Sequence, residues 1–447
     1  MKSSTTYLIS RWKNFLPILI IIFGITLSIH AYTDVTVEQA LKNLANALLL
    51  DPNLAPETKK ALTQVIEALD SERQATATIT SSPEIRTPKP SGSSTLKKEK
   101  FSFSGDLRLR QESSMKLDTS PDRHRQRLRL RFGGEVQLTS EVRIGARLVT
   151  GDADDPKSTH QTLGNNFSSL EVSFDRIFLN YSPQWLENGW ITVGKFDHPF
   201  MRNPIYNGLV WDSDVQPEGL VFGYTLDSFP GVDRVKLVLG KYIFQERGKN
   251  DNAYVAAAQL SIHKTFTDQL TGNAAIGYYS YSNLDMADII GMNSGNALLD
   301  FDNDGTPDAF ASKFGILNPI ASLTYTGWKK PVTISTEYIH NLRANVSEDM
   351  GWALGIALGE TKKKGDWKVY YQWQKVEQDA VFSLVSQDDF LVTTNFSGHV
   401  TGTRYQFTDT IQLHLWALIS QRGIPDKTAG QTRQSQWRLR SDVNIKF

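Results

Sequence analysis

The chain has 447 residues, 48 basic against 48 acidic side chains, and no cysteine. A balanced charge offers no electrostatic footprint for nucleic acid, and the lack of cysteine excludes a disulfide framework and any thiolate metal site. Beyond the amino terminus no run approaches the roughly 20 apolar residues that a membrane-spanning helix needs.

Lys2, Arg11 and Lys13 precede an apolar run from Phe15 to Ile29, followed by the small residue Ala31. This is the layout of a secretory signal peptide over residues 1–31; a retained anchor would need a longer run. Residues 32–73 change to helical spacing, with Val37, Ala40, Leu41, Leu44 and Leu48 on one face and Thr36 placed as N-cap three residues before Gln39. Asp51-Pro52 ends that helix, and Pro56 opens a second with Leu62, Val65, Ile66 and Leu69. Two short amphipathic helices form a hairpin, or serve as an oligomerising or cell-wall-binding device. Residues 74–100, rich in Ser, Thr and Pro and ending on Lys97, Lys98 and Lys100, read as a disordered linker.

From Phe101 to Phe447 the period is two. Phe101, Phe103, Leu107 and Leu109 alternate with Ser102, Ser104, Arg108 and Arg110, and Leu128, Leu130 and Phe132 alternate with Arg127, Arg129 and Arg131. Val142, Ile144 and Leu148 share a strand with Arg143 and Arg147. Segments of the same kind follow at 170–181, 189–196, 218–226, 233–244, 253–263, 271–282, 314–326, 330–341, 351–360, 366–376, 394–407 and 410–421. The last, WRLRSDVNIKF, stops on the aromatic Phe447. That is about sixteen strands, all-β, most of them close to the about ten residues a membrane barrel strand requires. Their connections alternate, short at 139–141, 182–188, 227–232, 264–269, 327–329, 361–365 and 408–409, and mostly longer between, as in a transmembrane antiparallel β-barrel over 101–447 with tight periplasmic turns and large outer loops. An even strand number puts both barrel ends, and the amino-terminal segment, in the periplasm. Three places break the pattern: the apolar parity slips at Asp175-Arg176, which suggests a bulge or a buried ion pair; Pro319 interrupts its strand; and 254–262 is rich in Ala, with a barely polar inner face.

If the apolar face looks outward, Arg108, Arg110, Arg127, Arg129, Arg131, Arg143 and Arg147 line the interior on three consecutive strands, and Arg438 and Arg440 extend the wall from the closing strand. In a dry core so many guanidinium groups would be prohibitive; around a water-filled channel they create a field that concentrates anions. Asp106, Glu135 and Asp442 are available to neutralise part of it.

DRHRQRLRLRFGGEVQLTSEVRIGARLVTG at 122–151, QTLGNNF at 161–167, DRIFLNY at 175–181, GKFDHPF at 194–200 and LVWDSDVQPEG at 209–219 resemble, in order, the bacterial "putative porin" family of outer-membrane β-barrels. The resemblance implies a diffusion channel for small hydrophilic or anionic solutes, homotrimeric as general porins are, with outer-membrane lipids around it and Phe447 read by the barrel-assembly machinery. It also implies that the third outer loop folds inward as a constriction. That loop, 197–217, carries Asp197, His198, Arg202, Asp212 and Asp214, and Asp212 and Asp214 are expected to face Arg108, Arg127, Arg129 and Arg131. The alternative is a loop that caps the mouth or meets a neighbouring subunit.

No cofactor is required. DFDNDGTPD, however, sets Asp300, Asp302, Asp304 and Asp308 around Gly305, a spacing that converges on a hard cation such as Ca2+ in extracellular repeats; a solvated acidic loop is the other reading. Trp190, Trp328, Trp352, Trp367, Tyr405 and Trp437 are expected on the short-turn side as an aromatic belt. The eight histidines are scattered and fall in no catalytic motif, so the chain reads as a non-enzyme. Besides a porin, an exported β-rich binding protein and a closed outer-membrane scaffold without conductance fit the pattern.

Overall fold

A computed structural model describes residues 101–447 other than Thr119, 249–251 and Thr428, together with Thr63. Apart from Thr63, the expected signal peptide (1–31), helical segment (32–73) and linker (74–100) lie outside the described residues.

Sixteen long strands follow one another: β1 Phe101–Met115, β2 Arg123–Gln137, β3 Val142–Thr150, β4 Val172–Tyr181, β5 Gly189–Lys195, β6 Glu218–Phe229, β7 Val232–Gln245 and β8 Ala253–Thr267, then β9 Leu270–Ser282, β10 Gly315–Tyr325, β11 Val332–Asn341, β12 Met350–Gly359, β13 Trp367–Val376, β14 Phe396–Gln406, β15 Ile411–Arg422 and β16 Gln436–Lys446. Each pairs antiparallel with the next, and β16 pairs with β1, which closes the sheet into a barrel. The closure is tied at its end by Gly105 and Phe447, whose backbones exchange hydrogen bonds of 2.9 and 3.1 Å. A Cβ on Gly105 would sit 2.5 Å from the Phe447 ring, so glycine is required where the terminal aromatic lies. A two-residue strand, Gln161–Thr162, adds to the edge of β2, and one short helix, α1 (Ala287–Gly291), sits in the connection after β9.

Every expected strand segment falls on one of these sixteen. The alternation explains why: Leu109, Leu130, Phe132, Leu415 and Leu439 are exposed on the outer face, while Arg110, Glu112, Arg129 and Arg440 are buried within. This inverts a water-soluble protein, where charged groups are the outer ones, and matches a cylinder whose outside meets hydrocarbon. The connections alternate too. Those at 138–141, 182–188, 230–231, 268–269, 326–331, 360–366 and 407–410 have at most seven residues; eight outer loops span 116–122, 151–171, 196–217, 246–252, 283–314, 342–349, 377–395 and 423–435, the first, fourth and sixth of them short at seven or eight residues. The aromatic belt is corrected at two positions: Trp352 and Trp437 open strands that follow outer loops and so lie at the long-loop end, because each stands at the start of its strand rather than the finish.

Two of the three irregularities expected of the sheet have a local cause. The β3–β4 register shifts after Arg147, leaving Asp175 as the extra residue; its carboxylate turns inward and takes Arg147 at 2.5 and 2.9 Å, so bulge and buried ion pair are one device. At Pro319 the ladder to β11 is interrupted between Leu317 and Ile320, and Asn318 Nδ2 donates to the Tyr338 carbonyl instead.

The Ala-rich inner face of β8 has a larger explanation. The third loop (196–217), the fifth (283–314) and the seventh (377–395) fold into the barrel and bury an apolar cluster against one side of it. Phe200, Ile205, Leu209 and Trp211 from the third loop, Phe310 and Phe314 from the fifth, and Val381, Phe382, Val385 and Phe390 from the seventh pack on Val238, Tyr242, Val255, Tyr279, Tyr281 and Ile339 of the wall. The Phe382 ring lies 5.2 Å from Tyr281 and 5.3 Å from Phe314. Inner faces that meet these loops are small or apolar because they are not wet. On β12 they read Gly351, Ala353, Gly355 and Ala357, and a Cβ on Gly355 would stand 3.0 Å from three carbons of Ile205. Polar pegs fix the loops: Glu337 accepts from the Leu209 amide at 2.9 Å, Gln259 bonds the Met201 amide and carbonyl at 2.6 and 3.1 Å, and the Asp212 amide donates to the Val385 carbonyl at 2.8 Å, which joins third loop to seventh.

Candidate functional site

The interior is thus divided. One side is filled by infolded loops; the other, formed by β14–β16 and β1–β4, bounds a cavity of about 710 Å³. Twelve arginines and Lys157 line it against six aspartates.

Strand register builds the charged wall in rows. On β1–β2, Asp106 stands opposite Arg131, Arg108 opposite Arg129, Arg110 opposite Arg127 and Glu112 opposite Arg125. On the β16 side the same β1 residues face Asn444 (Arg108), Asp442 (Arg110) and Arg440 (Glu112). Acidic residues threaded through the rows satisfy part of the charge. Asp442 takes Arg110 through both oxygens at 2.8 and 2.9 Å, Asp106 takes Arg129 at 2.6 Å and Arg131 at 2.7 Å, and Glu112 takes Arg440 at 2.5 Å and Arg125 at 2.5 Å. Glu112 is wholly buried between its two guanidinium partners. Its removal would leave Arg125 without a carboxylate and Arg440 with Asp389 alone, so Glu112→Ala is expected to cost about 3 kcal/mol, read as a lower temperature at which the compact band is lost on heated detergent gels.

Of the arginines singled out from sequence, Arg108, Arg110, Arg127, Arg129, Arg131, Arg147, Arg438 and Arg440 line the cavity. Arg143 does not: it pairs with Glu135 at 3.0 Å beside the first tight turn, and both side chains are 42% exposed. The third loop lies inside the barrel, and its residues part company. Asp214 faces Arg131 and Arg129 at 3.8 and 3.9 Å. Asp212 turns away from that wall to accept from the Asp214 amide at 2.7 Å, and burial followed by the charges of Asp388 and Asp214 pushes its carboxyl well above the usual range. Asp197 bridges Arg176 at 2.9 Å and Arg202 at 3.4 Å. His198 is packed within the loop, its ring tilted against Trp211 with centroids 4.9 Å apart. In the fifth loop, oxygens of Asp300, Asp302 and Asp304 lie within 4.8 Å of one another, while Asp308 accepts from the Phe301 amide at 2.7 Å and is not in that group.

Several lining residues were not legible beforehand. Asp388 and Asp389 come from the seventh loop, where no period marks them; the one hint is the apolar run Ala380–Val385 in an otherwise polar loop. Asp389 accepts from Tyr206 Oη at 2.6 Å and from Arg440, and although burial opposes it, Arg440 holds its carboxyl below the usual range. The Asp388 and Asp389 carbonyls accept from Arg438 at 3.1 and 2.7 Å. Burial, then the charge of Asp389, pushes the Asp388 carboxyl up to about 6. Arg125 and Glu112 share the parity of Arg127 and Arg110, and were missed because β1 and β2 run further toward their loop than the apolar pattern does. His414 and Trp416 complete the wall on β15, with the Arg440 guanidinium 4.6 Å above the Trp416 ring.

Residues 113–335 match the model of the family described as Putative porin. The chain is a member of the putative porin family. No curated protein sequence matches it. Among solved structures, OprB of Pseudomonas putida is similar in fold, at 10% identity and a TM-score of 0.53, covering 78% of this chain and 94% of that one. An anion-selective porin from Comamonas acidovorans (11% identity, TM-score 0.47, 78% and 100% covered) and OmpF of Salmonella typhi (11%, 0.45, 78% and 97%) are also similar. Family and barrel together make this putative porin an outer-membrane channel protein and point to a channel rather than an enzyme. They set aside the soluble exported binding protein.

Proposed function

We propose that this porin passes small hydrophilic solutes by passive diffusion along its arginine wall and prefers anions. The observation that carries the reading is the excess of cations around the cavity: twelve arginines and a lysine against six aspartates. Adding Asp106, Glu112, Asp175 and Asp442 from behind the wall leaves cations ahead. Fixed charge of one sign lining a cleft with low-dielectric walls focuses the field and raises the local anion concentration. The pore-lining residues are Arg108, Arg110, Arg127, Arg129, Arg131, Arg147, Arg438 and Arg440, with Asp214 the acidic partner on the third loop and Asp212, Asp197 and Arg202 shaping that loop. Reversal potential across a KCl gradient in planar bilayers tests the preference: the expected potential lies toward the chloride equilibrium value, and one on the potassium side would sink it.

The preference is expected to depend on pH. Asp388 faces the lumen with Asp389, Asp212, Arg438, Arg440 and Lys157 around it, and is neutral below about pH 6. As pH rises through that value it gains a negative charge, so anion preference falls. Recording at pH 5 and pH 7.5 should show the drop, and Asp388→Asn should remove most of it.

The second reading, a closed scaffold, draws on the loops that occupy one side of the barrel; absence of any conductance from folded protein would favour it. The proposal extends to a homotrimer, to assembly through Phe447, and to an amino-terminal segment in the periplasm on the short-turn side. In the fifth loop, Ca2+ held by Asp300, Asp302 and Asp304 is proposed with a test of its own: calorimetry should show binding that Asp302→Asn abolishes.

A further inference from the structure

We propose that the arginine wall contains a binding subsite for a dianionic tetrahedral oxyanion of the phosphate class, formed by Arg108, Arg127 and Arg129 beside His160. The inference rests on the anion-preferring reading above and adds to it a saturable site.

The argument starts from register. Arg108 is directly opposite Arg129, and Arg110 directly opposite Arg127, on one face of the β1–β2 pair. Like charges so placed repel, and each needs a countercharge. Two of the four have one: Asp442 takes Arg110, and Asp106 takes Arg129. The other two have no carboxylate within hydrogen-bond reach. Arg108 donates to the Asn444 side-chain oxygen at 2.6 Å, with Asp442 3.9 Å away and already engaged. Arg127 donates to the Ser158 hydroxyl at 2.9 Å and the His160 carbonyl at 3.1 Å, both neutral.

Donor atoms are left over at the same place. Among the described residues, Arg127 Nε, Arg129 Nε and His160 Nε2 are buried without a hydrogen-bond partner, and the Arg129 and His160 side chains belong to residues only 4% and 7% exposed. His160 reaches this wall because the second loop turns back on β2, where Gln161–Thr162 pairs with Leu128 and Arg127. Burial, then Arg110 and Arg108, holds its ring well below the usual histidine range, so it stays neutral and offers one N–H. Unpartnered buried donors of this kind are costly unless an acceptor arrives.

The ligand class follows from the donors. Guanidinium forks match paired oxygens and bond them bidentately. A chloride brings one charge and no such geometry; a phosphate dianion brings two charges and oxygens directed at several donors. The surrounding cavity, about 710 Å³, leaves room for an organic group on a phosphate monoester. Asp214, 3.8–3.9 Å from Arg131 and Arg129, competes for the same wall and keeps occupancy reversible.

The test is single-channel recording of the full purified chain in KCl at mildly alkaline pH, with inorganic phosphate added and ionic strength held with chloride. Phosphate is expected to lower the chloride current saturably, and Arg108→Ala with Arg127→Ala to raise the half-blocking concentration by about tenfold or more. Arg127→Lys, which keeps the charge and loses the fork, should weaken the block as well and guards against a double variant that fails to assemble. Arg143→Ala should leave the block unchanged. Glycerol phosphate forms a second arm: block by both ligands assigns the site to phosphoryl groups in general, and block by inorganic phosphate alone assigns it to the free ion. Current that falls no further than in the chloride control, while reversal potential stays on the anion side, overturns the subsite and leaves the anion reading standing; so does block that persists undiminished without Arg108 and Arg127. A reversal potential on the cation side overturns the anion reading, and the subsite with it.

Discussion

Replacing Arg108 and Arg127 together by glutamate is expected to turn the channel from anion to cation preference. These two guanidinium groups have no carboxylate partner within hydrogen-bond distance, so their charge is not cancelled within the wall. The double exchange removes two positive charges and adds two negative ones in the charged wall, near Asp214 and Asp106. Screening by salt does not rescue the preference, because partly buried charges are screened much less than exposed ones. The reversal potential in a KCl gradient should change sign, whereas the same exchange at Arg143, beside its tight turn, should shift it only slightly. A potential that keeps its sign in the double variant would mean that the selective charges lie elsewhere.

The second large effect concerns the seventh loop. Excising 380–390 and bridging the gap with a short Gly/Ser linker should raise single-channel conductance several-fold. Val381, Phe382, Val385 and Phe390 lie at the centre of the apolar plug, and the loop carries the Asp388 and Asp389 carbonyls that hold Arg438 and the Asp389 carboxylate that holds Arg440. Without the loop the water path widens, Arg438 loses its carbonyl partners and Arg440 keeps only Glu112, while the negative charges of Asp388 and Asp389 are gone, so anion preference should rise as conductance does. The apolar wall it leaves uncovered costs stability, at about 25 cal/mol per Å² of apolar surface returned to water, and the compact band should disappear at a lower temperature. Unchanged conductance in a folded, heat-modifiable deletion would place the conducting path away from this loop.

Much of the barrel was readable because lipid outside and charge inside impose a period of two on every strand, and no short stretch of β1 or β2 is ambiguous once Leu128 and Arg129 are set side by side. The rows of the wall were readable for the same reason: parity alone assigns Arg108, Arg110 and Arg440 to the interior. Parity does not give register, however, and register is what places Asp442 on Arg110 and leaves Arg127 to a serine hydroxyl. Nor does it speak for the loops. Asp388 and Asp389 stand in an aperiodic segment, and their position follows from the packing of Phe382 and Val385 against strands far away in sequence. The Ala-rich face of β8 looked like a weak strand when read locally; its small residues are there because the third loop needs the space. Trp352 and Trp437 went to the wrong rim because an aromatic near a strand end signals an interface but not which one.

The central claim is that one face of each strand borders a conducting aqueous path and the other borders lipid. Because the chain has no cysteine, single cysteines placed at Arg127 and at its neighbour Leu128 report on the two faces without background. A charged, membrane-impermeant methanethiosulfonate added to open channels should change the current through Arg127→Cys within the recording and leave Leu128→Cys untouched. Equal modification of both, or a current altered only through Leu128→Cys, would contradict it.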